Sequence, residues 1–317
     1  MTDNAPYKFD FMGKRRVWGA ISIILILVSV ASLAWRGVPL GLDFTGGTLI
    51  ELEYQDAPSL PDVRSTLQSV GYPDVVVQNF GSKSEVLVRL PAQFNQKVVE
   101  HIVGMLKEQA GEEVTLKRAE YVGAQVGKEL REKGGMGMLL ALGVVLIYVA
   151  MRFQFKFGVA SVLPLGHDVI ITLGMFSIFQ WDFDLTVLAA LLAVVGYSIN
   201  DTIIVADRIR ENFRRIRKDD PVEVINISLN QTLSRTLMTS GTTLLVLISL
   251  FIFGGEMIRN FSIALIIGIV VGTYSSIYVA ANLLLTMGVS REDLLLPVKE
   301  GAKNEEEETP PDWLNRM

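Results

Sequence analysis

The chain has no cysteine. Disulfides, thiolate-bound zinc and iron–sulfur clusters are therefore excluded, although the absence fits any compartment. Histidine is almost as scarce. His101 and His167 are the only two among 317 residues, which leaves little scope for a zinc site, so no metal is expected. Charge is sparse: 20% of residues are charged and 50% are hydrophobic, so much of the chain belongs in lipid. The net charge of −5 argues against nucleic acid as a partner. There is no Walker A pattern, no nucleophile–base pair and no metal cluster, so the chain does not read as an enzyme.

What is present is a set of long apolar runs. A bilayer core of about 30 Å needs about 20 apolar residues in a helix. Val17–Trp35, Gly134–Met151, Phe157–Trp181, Leu185–Ala206, Thr236–Gly255 and Phe261–Met287 qualify. Trp18 and Trp35 bracket the first span and Trp181 closes the third, as an aromatic belt does. Lys14, Arg15, Arg16 and the Ser32-Leu33-Ala34 triplet imitate a signal peptide. The apolar run outlasts the usual h-region of about 7–15 residues, however, so it reads as a retained anchor. Basic residues set the orientation. Lys8 and Lys14–Arg16, Arg152 and Lys156, and Arg208 to Lys218 fall on one side, while Asp182-Phe183-Asp184 on the other side has none. Both termini are expected in the cytoplasm.

The resulting plan is a cytoplasmic arm (1–16), transmembrane helix 1 (17–35), a periplasmic domain (37–133), a five-helix membrane domain (134–287) and a cytoplasmic acidic tail (288–317). Within the soluble segment, Thr48–Tyr54 alternates like a strand and Pro61–Val70 reads as a helix ending at Gly71. Val75–Phe80 and Glu85–Leu90 are β-rich around a Gly81-Ser82 turn. Gln93–Ala110 has helical spacing of Phe94, Val98, Ile102 and Met105, and Glu113–Val122 returns to strand. The order βαββαβ is the ferredoxin-like arrangement. The expected fold class is thus an α-helical polytopic membrane protein with six transmembrane helices and one α+β ferredoxin-like periplasmic domain between helices 1 and 2. His101 reads as an ordinary helix-surface residue. In Gly41–Gly47 (GLDFTGG), Gly46 and Gly47 permit tight turns and close approach. Asp43 there either caps a turn, the commoner use, or serves function.

The informative residue is Asp201, inside the fourth span. A carboxylate there costs about 3 kcal/mol on insertion scales and usually serves a proton, an ion or a buried partner. Tyr197 and Ser198, one helical turn away, could hydrogen-bond it; Asn200 is its neighbour in sequence. Arg235 heads the fifth span and could pair with Asp201 or snorkel to the headgroups. Thr239, Thr242 and Thr243 continue from it as a hydroxyl stripe. His167-Asp168, preceded by Pro164 and followed by Thr172, is either part of a proton relay or a helix-packing hydrogen bond. Gly268, Gly272, Ser276 and Ala280 form a small-residue stripe read as packing. Asp220-Pro221-Val222-Glu223 reads as a helix start; a helix from there to Phe253 would be about 50 Å long. The tail from Lys299 has a disordered composition.

Four segments together, Gly41–Gly47 (GLDFTGG), His167–Ile170 (HDVI), Gly196–Arg210 (GYSINDTIIVADRIR) and Ser228–Thr243 (SLNQTLSRTLMTSGTT), resemble SecF-type members of the SecD/SecF protein-export family. That family lies within the resistance-nodulation-division superfamily. The one-span, domain, five-span layout matches over residues 15–290. The resemblance implies one half of a pseudo-symmetric twelve-span unit completed by SecD, in the bacterial inner membrane. It implies the SecYEG channel and YajC as further partners, with preproteins as substrates. It also implies work driven by the proton gradient without a cofactor, with Asp201 and Arg235 in the proton path. A small-molecule exporter of the same superfamily is the alternative, although such exporters usually carry two large external domains on twelve spans. A structural scaffold, with Asp201 only bonding helices, is the other.

Overall fold

A computed structural model describes residues 9–91, 95–216, 220–290 and 293. Lys8, Phe94, Arg217, Lys218 and the acidic tail from Lys299 lie outside the described residues.

The first membrane helix, α1 (Arg15–Arg36), leads through a short turn of helix, α2 (Leu42–Thr45), into the extramembrane domain. That domain runs β1 (Gly47–Tyr54), α3 (Leu60–Ser69), β2 (Val76–Phe80), β3 (Ser82–Leu90), α4 (Gln96–Ala110) and β4 (Val114–Val122). The strands form one antiparallel sheet in the order β2-β3-β1-β4, which with two helices is the ferredoxin-like arrangement. Alternation puts Ile50, Leu52, Val86 and Val88 on the inner face, against Leu67 of α3 and Ile102 and Leu106 of α4. The expected spacing in α4 is off by one place. Val99, Ile102 and Leu106 are fully inward, while Val98 and Met105 flank the core; Asn95 caps the helix by accepting the Lys97 N–H. His101 is exposed on α4.

The remaining membrane helices are α5 (Ala124–Arg152), α6 (Phe155–Phe179), α7 (Leu185–Arg215), α8 (Pro221–Phe253) and the last span. That span is divided into α9 (Arg259–Tyr274), a π-helical turn (Ser275–Val279) and α10 (Ala280–Thr286). Six helical stretches are long and apolar enough to cross a membrane. α5 begins directly after β4, well before Gly134, and α7 continues past Asp207, which places Asp201 deeper than a helix ending at Ala206 would. α8 starts as its sequence dictates: Asp220 accepts the Val222 N–H at 2.9 Å, Pro221 takes the first position and Glu223 the first turn. α6 passes through Pro164 without interruption.

The helices pack in three levels. Near the domain, Phe176, Val187, Val194, Leu247, Ala264 and Ile269 form one apolar cluster. Near the chain ends, Phe157, Ile209, Phe213, Ile225, Leu229 and Leu284 form another. Between them, α6, α7, α8 and the π-turn contribute a buried polar layer: Asp168, Ser198, Asp201, Thr236, Ser275 and Ser276.

Candidate functional site

Both carboxylates of this layer are caged. Asp201 is 4% exposed. Its Oδ1 accepts the Thr236 hydroxyl of α8 at 2.8 Å and its Oδ2 the Ser276 hydroxyl of the π-turn at 2.6 Å. Asp168, with no exposed surface, meets His167 Nδ1 at 2.8 Å through Oδ1. Its Oδ2 accepts the hydroxyls of Ser198 at 2.5 Å and Ser275 at 2.8 Å. The π-turn thus sends consecutive serines to different carboxylates. In a regular helix adjacent residues diverge by about 100°. The wider π-turn re-aims one of them, a use that recurs at functional sites.

The close approach behind these contacts needs small residues. A Cβ at Gly272 would lie 3.4 Å from Asp168 Oδ2 and 3.3 Å from Ser198 Cβ, and one at Gly268 would strike Val194. The stripe therefore packs α9 on α7 as expected, but its third member, Ser276, corrects the reading of pure packing: it is a ligand of the Asp201 carboxylate. Two further expectations change. Ser198 serves Asp168 rather than Asp201, and Tyr197 donates to Ser240 at 3.2 Å; the rotation of α7 turns both away from its own aspartate. Arg235 makes no ion pair among the described residues. It is exposed and acts on Asp201 only through space. It lines an open polar recess with Asp207, Arg208, Glu211, Gln231 and Thr232.

Asn200 and Thr239 are exposed and outside the cages; the Thr239 hydroxyl bonds back to Arg235 O. Thr172 likewise bonds back to Asp168 O. The residues that reasoning from sequence missed are Thr236, Ser275 and Ser276. Thr236 sits beside Arg235 but on the opposite, buried face of α8, in the series Thr232, Thr236 and Ser240. The four-residue spacing of these hydroxyls was visible in the sequence, as was the stripe Arg235, Thr239, Thr242; only packing tells which face is inward.

The GLDFTGG segment is a joint. Asp43 caps neither its own turn nor a ligand: its Oδ2 accepts the N–H of Leu185 at 3.0 Å, at the start of α7. Asp184 accepts the Val187 N–H at 2.9 Å in the same first turn, where both acids suit the helix dipole. Gly46 and Gly47 have φ of +69° and +116°, and added Cβ atoms would lie 2.7 Å from Ala124 Cα and 2.5 Å from Leu90 O. Only glycine lets the segment seat between β3 and α5. The domain is also held at the α6–α7 turn. Arg89 of β3 pairs with Asp182 at 2.7 Å, Gln78 of β2 reaches the same carboxylate, and Asn260 of α9 donates to Asp182 O. No group of three or more potential metal ligands occurs among the described residues.

Comparison with known proteins places this geometry. Residues 102–290 match the model of the C-terminal region of the protein export membrane proteins SecD/SecF, and residues 31–58 match the SecD/SecF GG motif. The chain belongs to the SecD/SecF family. It is 52% identical to the protein translocase subunit SecF of Pseudomonas aeruginosa, covering 91% of this chain and 94% of that protein. It is 49% identical to the SecF of Vibrio alginolyticus, over 95% and 98%. Among solved structures it is similar to SecDF from Thermus, described as a translocon-associated membrane protein. The TM-score is 0.81 at 40% identity, over 90% of this chain but only 39% of that longer one. A form of SecDF called super-membrane-facing superposes less well, with a TM-score of 0.66 at 39% identity over the same shares. The family's GG motif covers Gly46 and Gly47, the pair at the joint.

Proposed function

We propose that this protein is a SecF-like accessory subunit of the Sec protein translocase, in which proton binding at Asp201 drives movement that assists preprotein export. The observation that carries the mechanism is the Asp201 cage. As a carboxylate it accepts two hydroxyl protons, one from α8 and one from the π-turn. As a neutral acid it has a proton of its own to donate and accepts more weakly on the protonated oxygen, so its bonds to Thr236 and Ser276 weaken and a new acceptor is called for. Protonation therefore weights two packings of the same helices differently, which is what coupling requires. The membrane potential supplies about 2.3 kcal/mol per charge per 100 mV. α7, which carries Asp201, starts at the turn tied to the domain by Asp43, Asp182 and Arg89, so a shift of α7 is felt outside the membrane. The Arg235 recess would serve as the aqueous approach on the side of the chain ends.

SecD is the natural partner. The matched SecDF chain is far longer than this one, and α8 leaves Arg235, Thr239 and Thr242 uncovered in a span. The SecYEG channel and YajC are proposed as further associates, and preproteins as substrates, as the resemblance implies. The location is the bacterial inner membrane with both termini cytoplasmic, on the distribution of Lys and Arg. Catalysis and cofactors have no part in this reading.

The test is export of a secreted precursor in cells whose only copy carries Asp201→Asn, with and without the proton gradient. Asparagine keeps the size and, with one acceptor oxygen exchanged for an N–H donor, resembles the neutral acid but cannot ionise, so insertion and partner retention, checked by pull-down, are expected to survive while gradient-dependent export is lost. Normal export with Asn would leave Asp201 a packing residue and return the scaffold reading.

A further inference from the structure

His167 and Asp168 are adjacent, yet only the carboxylate is fully satisfied. The imidazole uses Nδ1 on Asp168; its Nε2 is buried and has no hydrogen-bond partner among the described residues. The ring lines a half-open recess of about 430 Å3 between α1, α6 and the π-turn with α10; its walls are mostly aliphatic, and Ser22, Tyr278 and Asn282 are the polar side chains that share it. A buried polar nitrogen without a partner is costly. The cavity has room for several waters, each occupying about 30 Å3 in the liquid. Polar groups to hold them are the Ser22 hydroxyl, which already bonds Tyr274 OH at 2.7 Å, and the Asn282 amide.

Position adds to this. The lining comes from the first half of α1, the middle of α6 and the end of the last span. The recess thus runs from mid-membrane toward the side of the chain ends, and it shares no lining residue with the Arg235 recess. The titratable groups facing His167 are few. Asp168 is on its own helix, Tyr274 of α9 lies with its ring 6.1 Å away, and Tyr278 lines the cavity. α7 offers Ser198 through Asp168, while α1 and α10 offer Ser22 and Asn282.

We propose that His167 is a second proton-binding group of this subunit, loaded from water in this cavity and coupled to Asp201 through the serine pair of the π-turn. A proton from water adds to Nε2, the resulting imidazolium is neutralised by Asp168, and the same proton returns to water on release. Charge on the ring changes what Asp168 asks of Ser198 and Ser275. Ser275 is followed in the π-turn by Ser276, which holds Asp201, so a backbone shift at one is passed to the other. This deepens the proton-coupled reading above and rests on it for its purpose, but its own test does not.

With only two histidines in the chain, His101→Gln leaves His167 as the sole imidazole. The full chain carrying that change, labelled with 15N in the histidine ring and placed in lipid nanodiscs, is titrated by NMR. The His167 ring signals are expected to move with pH and to exchange magnetisation with water. Gly166 is exposed at the edge of this recess and no atom lies within 4 Å of its Cβ position, so Gly166→Leu can cover the opening without a clash there, and it is expected to abolish both effects. His167→Gln is expected to lose gradient-dependent export. Ring signals that are silent to pH and water in the otherwise unaltered chain overturn the proposal, whether or not the leucine variant folds, and leave the pair as a helix-packing bond. Silent ring signals beside lost export in Asp201→Asn would sink His167 alone; a titrating ring beside normal export in Asp201→Asn would sink the Asp201 reading alone.

Discussion

Tyr54 shows how one atom can be tested apart from transport. Its ring is in the domain core, and its hydroxyl is buried without a partner among the described residues. Burial, with a smaller contribution from the nearby Glu112 charge, pushes its pKa up to about 12. The unfolded chain ionises at the ordinary value near 10, so the folded state binds the proton more tightly. Stability from this group is complete below pH 10, declines as pH rises, and is lost by about pH 12. Tyr54→Phe is expected to remove that alkaline loss and to raise domain stability by about 1 kcal/mol at neutral pH, since an unpaired buried hydroxyl is costly. Amide exchange of β1 and β3 at neutral pH, and a tyrosinate absorbance titration, would check the two parts. Greater exchange in the phenylalanine variant would mean the hydroxyl has a partner in solution.

At the scale of elements, the joint between domain and membrane is the coupling piece. Asp182 receives Arg89 and Gln78 from two strands, while its backbone carbonyl receives Asn260 from α9. The Arg89–Asp182 pair is partly buried and hydrogen-bonded, so breaking it by removing one charge leaves the other poorly solvated, which an exposed ion pair would not. Asp182→Asn is expected to leave the sheet folded, lower gradient-dependent export and raise proteolysis at the joint. The exchange Arg89→Asp with Asp182→Arg is expected to recover part of the export that either reversal alone loses. No recovery, with both proteins inserted, would mean that the pair does not carry the coupling. The π-turn belongs at this scale too. It is a feature of one segment whose purpose appears only where α7 and α6 present their aspartates.

For the whole molecule, the uncovered side of α8 sets the question. Met238 and Leu245 are exposed beside Thr239 and Thr242. A hydroxyl and guanidinium stripe in a span is poorly suited to lipid. Because the chain has no cysteine, Thr242→Cys and Met136→Cys each create a single thiol. Thr242→Cys is expected to crosslink to the membrane part of SecD in native membranes, and Met136→Cys, exposed on α5, is expected not to. Equal crosslinking at both positions would deny α8 a special role at the interface.

The local features of this protein were legible in its amino-acid order. The spans follow from apolar run length, the start of α8 from Asp220-Pro221, and the sheet from alternation and turn glycines, because each depends on residues close together in the chain. The presence of charge in the membrane was legible for the same reason. The tertiary structure alone decided which hydroxyl meets which carboxylate. Ser276 is 75 residues from Asp201 and Thr236 is 35; their meeting depends on the rotation of three helices and on one π-turn, which no local pattern encodes. The same holds for Asp43, whose capping partner Leu185 lies 142 residues away. Distances of that kind are set by how whole elements pack, and packing is the sum of many contacts rather than the property of any one segment.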